Sequence, residues 1–520
     1  MASTKFYVTT PIYYVNDRPH IGHIYTTTLA DIVARYHRLR GRDVFFLTGV
    51  DEHAAKVVDA AAERGRTAQD WADENAKVFG DTFTRLDMTN DDFIRTSQER
   101  HKSKVTEYCR QLMDGGDVYP GQYEGWYDAG QEEYVPENKA KEYDYKSPVN
   151  GRPLIRKQET NYFFRLSKYE QRLRDFIENQ NPTFVQPDAR RNEVLGRIRE
   201  GLNDVPISRS GTGGWGIPIP DDPQQTIYVW IDALFNYLST IDTPQRRDWW
   251  PPNVQFIAKD ILWFHAVIWP AMLMALDRPL PAQIYSHSYW ISEGQKMSKT
   301  LGNFIDLEKI DHTVSQFSLD ALRYFLATEG PMGATDADFA HARFVDVYNS
   351  DLANTLGNCL SRVTNMCDRY FDGKLPAPGP DAEEAASPQQ TIESCVQRVE
   401  DAYEDLHLHQ AAVAALDIVR SIDNYIEQTQ PFRLAKDKQN LPRVGTILHN
   451  CAEAMRIASV CLWPIMPDKC ADVWRRLSCA DHARAVSDRG RGDFDTWTKW
   501  GHLRAGAAID RGEALFPRHA

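Results

Sequence analysis

The chain has 520 residues, 8 cysteines and a formal net charge of −13 at pH 7, and its length is typical of about three or four domains. Because phosphates supply much of the affinity for nucleic acids, this acidic balance argues mildly against RNA binding unless a local basic surface exists. The sequence has no apolar run of about 18 residues, which excludes a membrane-spanning helix.

The N-terminal segment predicts a strand, a helix and a second strand. Residues 5–10 are β-branched and aromatic, as in a buried strand, and 16–18 break that run. Apolar residues recur with a helical period over 19–40. Residues 44–48 form the continuous apolar run of a strand covered on both faces. This order predicts a βαβ unit of a parallel α/β sheet, whose ligands bind at the carboxyl ends of the strands.

The most informative motif is His20-Ile21-Gly22-His23 at the start of the predicted helix. Pro19 is favoured at a first helical position, and residues three apart share a helix face, so we expect both imidazoles to point the same way. Helix N-termini attract phosphates, and two imidazole donors suit the charge that develops on them in a transition state. Gly22 leaves room for a flat base on the backbone. Taken alone, the pair is also compatible with a structural role.

Asp51 follows the second strand directly, where a carboxylate is well placed to bind a substrate cation such as an α-ammonium group. The alternative is a helix N-cap for the Ala-rich segment that follows. A metal site formed by Asp51, Glu52 and His53 is less favoured, because adjacent residues rarely converge on one ion.

A second motif, Lys296-Met297-Ser298-Lys299-Thr300, stands between Gly294 and Gly302. Two lysines in a glycine-flanked loop are able to close over a triphosphate and stabilise departing pyrophosphate. By themselves they are also compatible with ordinary solvated charge.

The two motifs in this order resemble the HIGH and KMSKS signatures of class I aminoacyl-tRNA synthetases, and the finer resemblance is to the methionyl-tRNA synthetase family. It extends from about residue 5 to the C-terminus. The stretches that carry the finer match are Tyr13–Asn16, Asp51–His53, Arg190–Val194, Ile207–Arg209, Trp215–Pro218, Tyr228–Ala233 and Lys259–His265.

The resemblance implies a Rossmann-type catalytic domain with a connective insertion, followed by an all-α anticodon-binding bundle. It implies that methionine and ATP, with Mg²⁺, give methionyl-adenylate, and that the methionyl group passes to the terminal adenosine of tRNA(Met). It assigns catalytic roles to the two histidines and two lysines of the signatures. The implied ATP contacts are His20, Gly22, His23, Lys259, Asp260, Lys296 and Lys299.

The implied methionine pocket is apolar and aromatic, which suits a polarisable thioether. Tyr14 and His265 are expected to add polar contact near the sulfur, and the alternative for Trp230 and Phe264 is ordinary core. The implied methionine contacts are Ile12, Tyr14, Asp51, Trp230, Ala233, Leu234, Tyr237, Ile261 and His265.

The insertion departs from relatives whose knuckle binds zinc through paired cysteines. The residues near those ligand positions are Asp128, Gln131, Ser147 and Asn150, and a tetrahedral zinc site without Cys or His is weak. We therefore expect no structural zinc. The insertion is also too short for the editing domain of the isoleucyl, leucyl and valyl enzymes, which favours the methionyl family.

Helical patterns near 390–405, 409–430, 441–463 and 467–478 follow a Pro- and Ala-rich linker. The resemblance makes Asn358 and Arg362, which share a helix face, the anticodon-reading pair. Phe432 stands where many relatives have Trp; it either stacks on an anticodon base or is a core residue after Pro431.

The domains are predicted at 1–116 and 226–290 (catalytic), 117–225 (insertion), 291–343 (lysine loop and stem contact) and 344–520 (anticodon bundle). We expect a cytoplasmic monomer, because no signal segment, membrane span, cysteine pairing motif or appended dimerisation module is evident. The alternatives are another class I synthetase and a catalytically silent tRNA-binding paralogue. The intact phosphate motifs count against the silent paralogue.

Overall fold

The computed structural model describes residues 5–130, 133–135, 137–210, 214–297, 302–379, 387–486 and 491–519. A parallel six-stranded sheet forms the centre of the catalytic region. In chain order its strands are β1 (Lys5–Tyr14), β2 (Asp43–Asp51), β3 (Asp92–Arg95), β4 (Val185–Gln186), β5 (Val254–Ala258) and β6 (Ile284–His287). Across the sheet their order is β3-β2-β1-β5-β6-β4.

The predicted strand–helix–strand unit is confirmed, with the helix spanning Ile21–Leu39 between β1 and β2. Val8 of β1 pairs with Phe46 of β2 on one side and with Val254 of β5 on the other. The chain therefore winds to both sides of β1, and the direction reverses between β1 and β5. Such a reversal leaves a crevice at the carboxyl ends of the two strands, where ligands of open α/β sheets bind.

The segment predicted as the insertion folds mainly into two antiparallel sheets. The first contains Val118–Asp128, Glu133–Val135, Ile155–Phe164 and Val205–Pro206, and the second contains Ser208–Ser210, Pro218–Ile219 and Asp222–Ile227. Between them the chain returns to the main sheet as its edge strand β4.

Helices cover the main sheet and connect it to the C-terminal region. Beyond the first helix, those of the N-terminal two thirds of the chain are Ala55–Ala62, Ala68–Arg85, Glu99–Asp114, Glu137–Glu142, Glu170–Asp175, Asp188–Arg199, Val229–Leu234, Asn236–Ser239, Trp269–Ala275, Leu307–Phe317, Leu319–Glu329 and His341–Val347. A short parallel pair, Trp290–Ile291 with Ala337–Asp338, lies beside the lysine motif.

The C-terminal region is helical, as predicted. Its main helices are Asn358–Phe371, Gln389–Glu404, Leu408–Thr429, Leu441–Leu462 and Pro467–Arg476, followed by the short Ala480–Val486 and Phe494–Trp497. The helix Leu441–Leu462 is buried over nearly its whole length and forms the centre of the bundle. Arg323 joins the bundle to the catalytic region, since it pairs with Asp31 of the first helix and donates to the carbonyls of Pro464 and Ile465. Among the described residues, no helix is both long and apolar enough to cross a membrane.

Candidate active site

A cavity of about 480 Å³ occupies the crevice at the carboxyl ends of β1 and β5. It brings together side chains from both halves of the catalytic region. All nine predicted methionine contacts line it: Ile12, Tyr14, Asp51, Trp230, Ala233, Leu234, Tyr237, Ile261 and His265. Of the predicted ATP contacts, the lining includes His20, Gly22, His23 and Asp260.

His20 and His23 cap the first helix reciprocally, so the helix begins at Ile21 rather than at Pro19. The Gly22 N–H donates to Nδ1 of His20 (3.1 Å), and the His20 N–H donates to Nδ1 of His23 (3.2 Å). The two rings lie against each other with centroids 3.8 Å apart. A Cβ on Gly22 would approach Cε1 of His20 to 3.0 Å, so this glycine makes room for the His20 ring.

These hydrogen bonds determine which nitrogen of each ring carries the proton. Because Nδ1 accepts a backbone proton in each neutral ring, Nε2 carries the ring's own proton. Burial, and secondly the adjacent His20, hold the pKa of His23 well below its ordinary value of 6.5. The pair therefore presents neutral N–H donors, in the way that an oxyanion site does, at the N-terminus of a helix.

The segment that follows the lysine motif contacts the histidine pair directly. The Ile21 N–H donates to the carbonyl of Ile305 (3.1 Å), and the Phe304 ring meets the His20 ring edge-on at 5.2 Å. Lys296 is exposed beyond the cavity rim, and its carbonyl accepts from the Asn303 amide (3.2 Å). Lys299 lies outside the described residues.

Asp51 is buried at the end of β2, and its Oδ1 accepts the His53 N–H at 3.3 Å. It does not cap the following helix: Ala55–Ala62 begins after Ala54 with no side-chain cap. The N-cap alternative is therefore wrong, and the carboxylate faces the cavity.

Aromatic residues form the far wall of the cavity. The Trp230 and Phe264 rings stack at 4.2 Å, and Tyr14 meets Trp230 edge-on at 6.0 Å. His265 donates from Nδ1 to the Ile261 carbonyl (3.0 Å), so its Nε2 accepts the Tyr237 hydroxyl proton (2.8 Å). Both nitrogens of His265 thereby form hydrogen bonds within the protein, and the predicted polar contact of this ring with the sulfur stays a prediction.

Lys259, which is predicted among the ATP contacts, does not line the cavity. Its ammonium group pairs with Asp336 (2.6 Å) and lies 4.6 Å from the centroid of the Tyr289 ring. Asp336 also accepts the Tyr289 N–H (2.9 Å). Lys259 thus supports Tyr289, which lines the cavity beside Asp260.

Sequence reasoning missed His287, which ends β6 and lines the cavity. It donates from Nδ1 to its neighbour's carbonyl, that of Ser288 (2.7 Å), and its Nε2 accepts the Thr26 hydroxyl proton (2.7 Å). Burial lowers the pKa of His287 to about 4, so the ring is neutral at physiological pH. Thr26 lies in the first helix, one turn beyond Gly22, so this bond fixes the helix start against β6. The position of His287 at the end of a strand is the signal by which it could have been found from the sequence.

Sequence reasoning also missed a buried carboxylate–imidazole cluster behind the pocket wall. Asp232 is bonded to Nδ1 of His53 (2.6 Å) and to Nε2 of His101 (2.7 Å). These partners are distant in sequence and follow no motif spacing, so no local pattern announces the cluster.

The positions predicted in place of zinc ligands form backbone turns. Oδ1 of Asp128 accepts the Gly130 N–H (2.8 Å), Oγ of Ser147 accepts the Asn150 N–H (3.3 Å), and Oδ1 of Asn150 accepts the Arg152 N–H (2.9 Å). Gln131 lies outside the described residues. Within the described ranges, no group of three His, Cys, Asp or Glu side chains is arranged to hold a metal ion.

The predicted anticodon residues lie in the helical region. Asn358 and Arg362 share the first turn of the helix Asn358–Phe371, and Arg362 is held by Asp423 (2.8 Å) and Glu427 (2.7 Å). Phe432 is 37% exposed, so it is not the core residue that the alternative interpretation required.

The chain matches the family model described as tRNA synthetases class I (M) over residues 6–143 and 141–364. It is 41% identical to a methionine–tRNA ligase of Caldanaerobacter subterraneus subsp. tengcongensis, covering 99% of this chain and 78% of the relative. It is 40% identical to that of Streptomyces coelicolor, covering 99% of this chain and 96% of the relative.

Solved structures agree over the full length. Mycobacterium tuberculosis methionyl-tRNA synthetase in complex with methionyl-adenylate has a TM-score of 0.89 and 34% identity, covering 99% of this chain and 100% of that one. The apo form of the same enzyme has a TM-score of 0.83 and 31% identity, covering 100% and 99%.

Proposed function

The chain belongs to the methionyl family of class I tRNA synthetases, and on that premise we infer how its cavity performs the two steps of methionine–tRNA ligation. The activity is that of a methionine–tRNA ligase, which activates methionine with ATP and transfers it to tRNA. The observation that carries the inference is a single cavity in which the buried carboxylate of Asp51, the Trp230 wall and the His20–His23 pair converge.

In the first step we assign methionine to the half of the cavity formed by Asp51 and the aromatic wall. Asp51 binds the α-ammonium group, and the side chain packs against Trp230 and Tyr237. With His265 engaged by its own hydrogen bonds, Tyr14 is the remaining polar group assigned to the thioether. A methionine carboxylate oxygen bonds to the α-phosphorus of ATP as the bond to pyrophosphate breaks.

The phosphates are assigned to the other half of the cavity. His20 and His23 donate Nε2–H bonds to phosphate oxygens as negative charge shifts to pyrophosphate. Asp260 meets the ribose, and Lys296 and Lys299 approach from their loop. The substrate is ATP with its Mg²⁺. Lys259 acts indirectly: it pairs with Asp336, which accepts the Tyr289 N–H and so holds Tyr289 in place.

In the second step the adenylate is attacked by a hydroxyl of the terminal adenosine of tRNA(Met). The methionyl carbonyl carbon bonds to that oxygen, and AMP leaves. The helical region reads the anticodon through Asn358, Arg362 and Phe432, since unstacked bases are recognised by edge hydrogen bonds and by stacking.

We further propose that the insertion holds no zinc. Side-chain oxygen atoms of Asp128, Ser147 and Asn150 accept hydrogen bonds from backbone N–H groups, and hard oxygen donors suit a tetrahedral zinc site poorly. Metal analysis that found stoichiometric zinc would contradict this. We also propose that the enzyme is a cytoplasmic monomer; its eight free thiols support the compartment, because reducing compartments maintain that state.

The function is tested by ATP–pyrophosphate exchange with each amino acid, followed by charging of tRNA. A ligase gives methionine-dependent exchange and methionylated tRNA. Exchange with another amino acid identifies a different class I synthetase, and tRNA binding without exchange identifies a silent paralogue.

A further inference from the structure

Asp232 lies directly behind the methionine side of the cavity without lining it. It belongs to the short helix Val229–Leu234, which also carries Trp230, Ala233 and Leu234 of the lining. Its side chain is 1% exposed, and each of its two oxygens has an imidazole partner.

The hydrogen bonds of this cluster have a defined direction. A carboxylate only accepts, so Nδ1–H of His53 donates to Oδ2 (2.6 Å) and Nε2–H of His101 donates to Oδ1 (2.7 Å). Nδ1 of His101 forms a further hydrogen bond with the Ser239 hydroxyl group (2.8 Å). Burial opposes ionisation, but the two imidazoles outweigh it and lower the pKa of Asp232 to about 2. The carboxylate is therefore ionised at physiological pH.

The contact between Asp232 and His53 joins two chain segments that are 179 residues apart. His53 stands two residues after Asp51, whose carboxylate accepts its N–H. Asp232 stands two residues after Trp230. The bond thus ties the carboxylate at one end of the amino-acid site to the aromatic wall at the other end.

We propose that Asp232 is a positioning residue that, through His53, sets the distance between the ammonium-binding carboxylate Asp51 and the side-chain wall at Trp230. This rests on the proposed function of the cavity as a methionine site. An α-amino acid spans a fixed distance from its ammonium group to its side chain, so displacement of either end weakens methionine binding and leaves the nucleotide untouched.

The test compares D232N, which keeps the shape and removes the charge, with the wild-type chain in ATP–pyrophosphate exchange. Losing a hydrogen bond to a charged group corresponds to about a tenfold change. We expect the KM for methionine to rise by about tenfold, with the KM for ATP unchanged and kcat little altered. The inhibition constant of 4-(methylthio)butanoate, which lacks the α-amino group, should stay the same.

D242N is the matched control. Asp242 accepts from Tyr108 (2.9 Å) and so links the helix Glu99–Asp114, which carries His101, to the segment after Tyr237. Its carboxylate also pairs with Lys104 (3.3 Å), and it does not line the cavity. D242N should leave the KM for methionine unchanged.

H53Q, and the double variant with D232N, test the contact itself. A shared role predicts that the double variant has the same KM for methionine as either single variant, and H53Q alone answers the question if D232N does not fold. Equal increases in the KM for methionine and ATP, additive effects, or weaker binding of the deaminated analogue would overturn the proposal. Wild-type exchange is measured first, so that failure of the proposed function is recognised separately.

Discussion

On the side of Asp51 and Trp230, the cavity is lined by buried and half-buried groups, some of which bond to each other, as in the Tyr237–His265 pair. On the side of His20 and His23, it presents half-buried imidazoles, and the exposed Lys296 lies beyond its rim. We therefore assign selection by shape to the first half and stabilisation of developing charge by N–H donors to the second half. Binding and catalysis are thereby assigned to different walls of one cavity.

The largest expected effect comes from D51A, which breaks the amino-acid half. Removing one partner of a buried ion pair costs about 3–5 kcal/mol, so methionine activation should fall by roughly 10³-fold, mainly through the KM for methionine. Exchange kinetics measure this. D17N, at the exposed rim of the same cavity, is the control and should change little. Wild-type methionine affinity in D51A would refute the role.

H23N breaks the phosphate half. Asparagine keeps an oxygen to accept the His20 N–H, but it removes the Nε2–H donor. Loss of one oxyanion donor costs about 10²–10³ in kcat. We expect that loss at an unchanged KM for methionine, measured by single-turnover adenylate formation. H20N, which remains a good N-cap, should behave in the same way. A raised KM for methionine in both variants would contradict the division of binding and catalysis between the two halves of the cavity.

Acid should loosen both halves, because each holds a buried neutral histidine. Burial lowers the pKa of His265 and of His287 to about 4 from 6.5. Between these values the unfolded chain binds a proton that the folded protein does not. The contribution of each histidine to the free energy of unfolding is therefore fully present above about pH 6.5. It is lost as the pH falls towards 4, by on the order of 3 kcal/mol for each group.

Urea unfolding at a series of pH values tests this slope. H287Q should flatten it, since glutamine does not titrate there. The same pH dependence of the unfolding free energy in H287Q and in the wild-type chain between about pH 6.5 and 4 would contradict neutral burial of His287.

The smallest effect is expected outside both halves, at the exposed Phe432. Stacking on a base is worth about 1–3 kcal/mol, so F432A should raise the KM for tRNA by about tenfold and leave exchange unchanged. F432W should restore charging, because the indole offers more stacking area. A loss of exchange in F432A would assign this residue to the fold instead.

The sequence predicted those parts of the fold whose pattern is local. The β-branched run of β1, the helical period over 19–40 and the long C-terminal helices are all present within a few residues. The edge strand Val185–Gln186 was not predicted, because two residues have no periodicity and its place depends on pairing with β6. The first helix begins later than predicted because His20 is its N-cap residue and caps the helix with its side chain.

The site was predictable where motif residues face the cavity themselves. Asp51, Trp230 and His265 do so, whereas Lys259 turns to Asp336, which the sequence places 77 residues away. The Asp232 cluster and the His287–Thr26 bond form only when segments that are distant in sequence come together in the fold. Patterns within a single sequence do not predict such long-range contacts.

The most direct test of the division between the two walls is exchange kinetics of D51N and H23N measured side by side with the wild-type chain. We expect D51N to raise the KM for methionine and H23N to lower kcat at an unchanged KM. Identical changes in both parameters for both variants would contradict it.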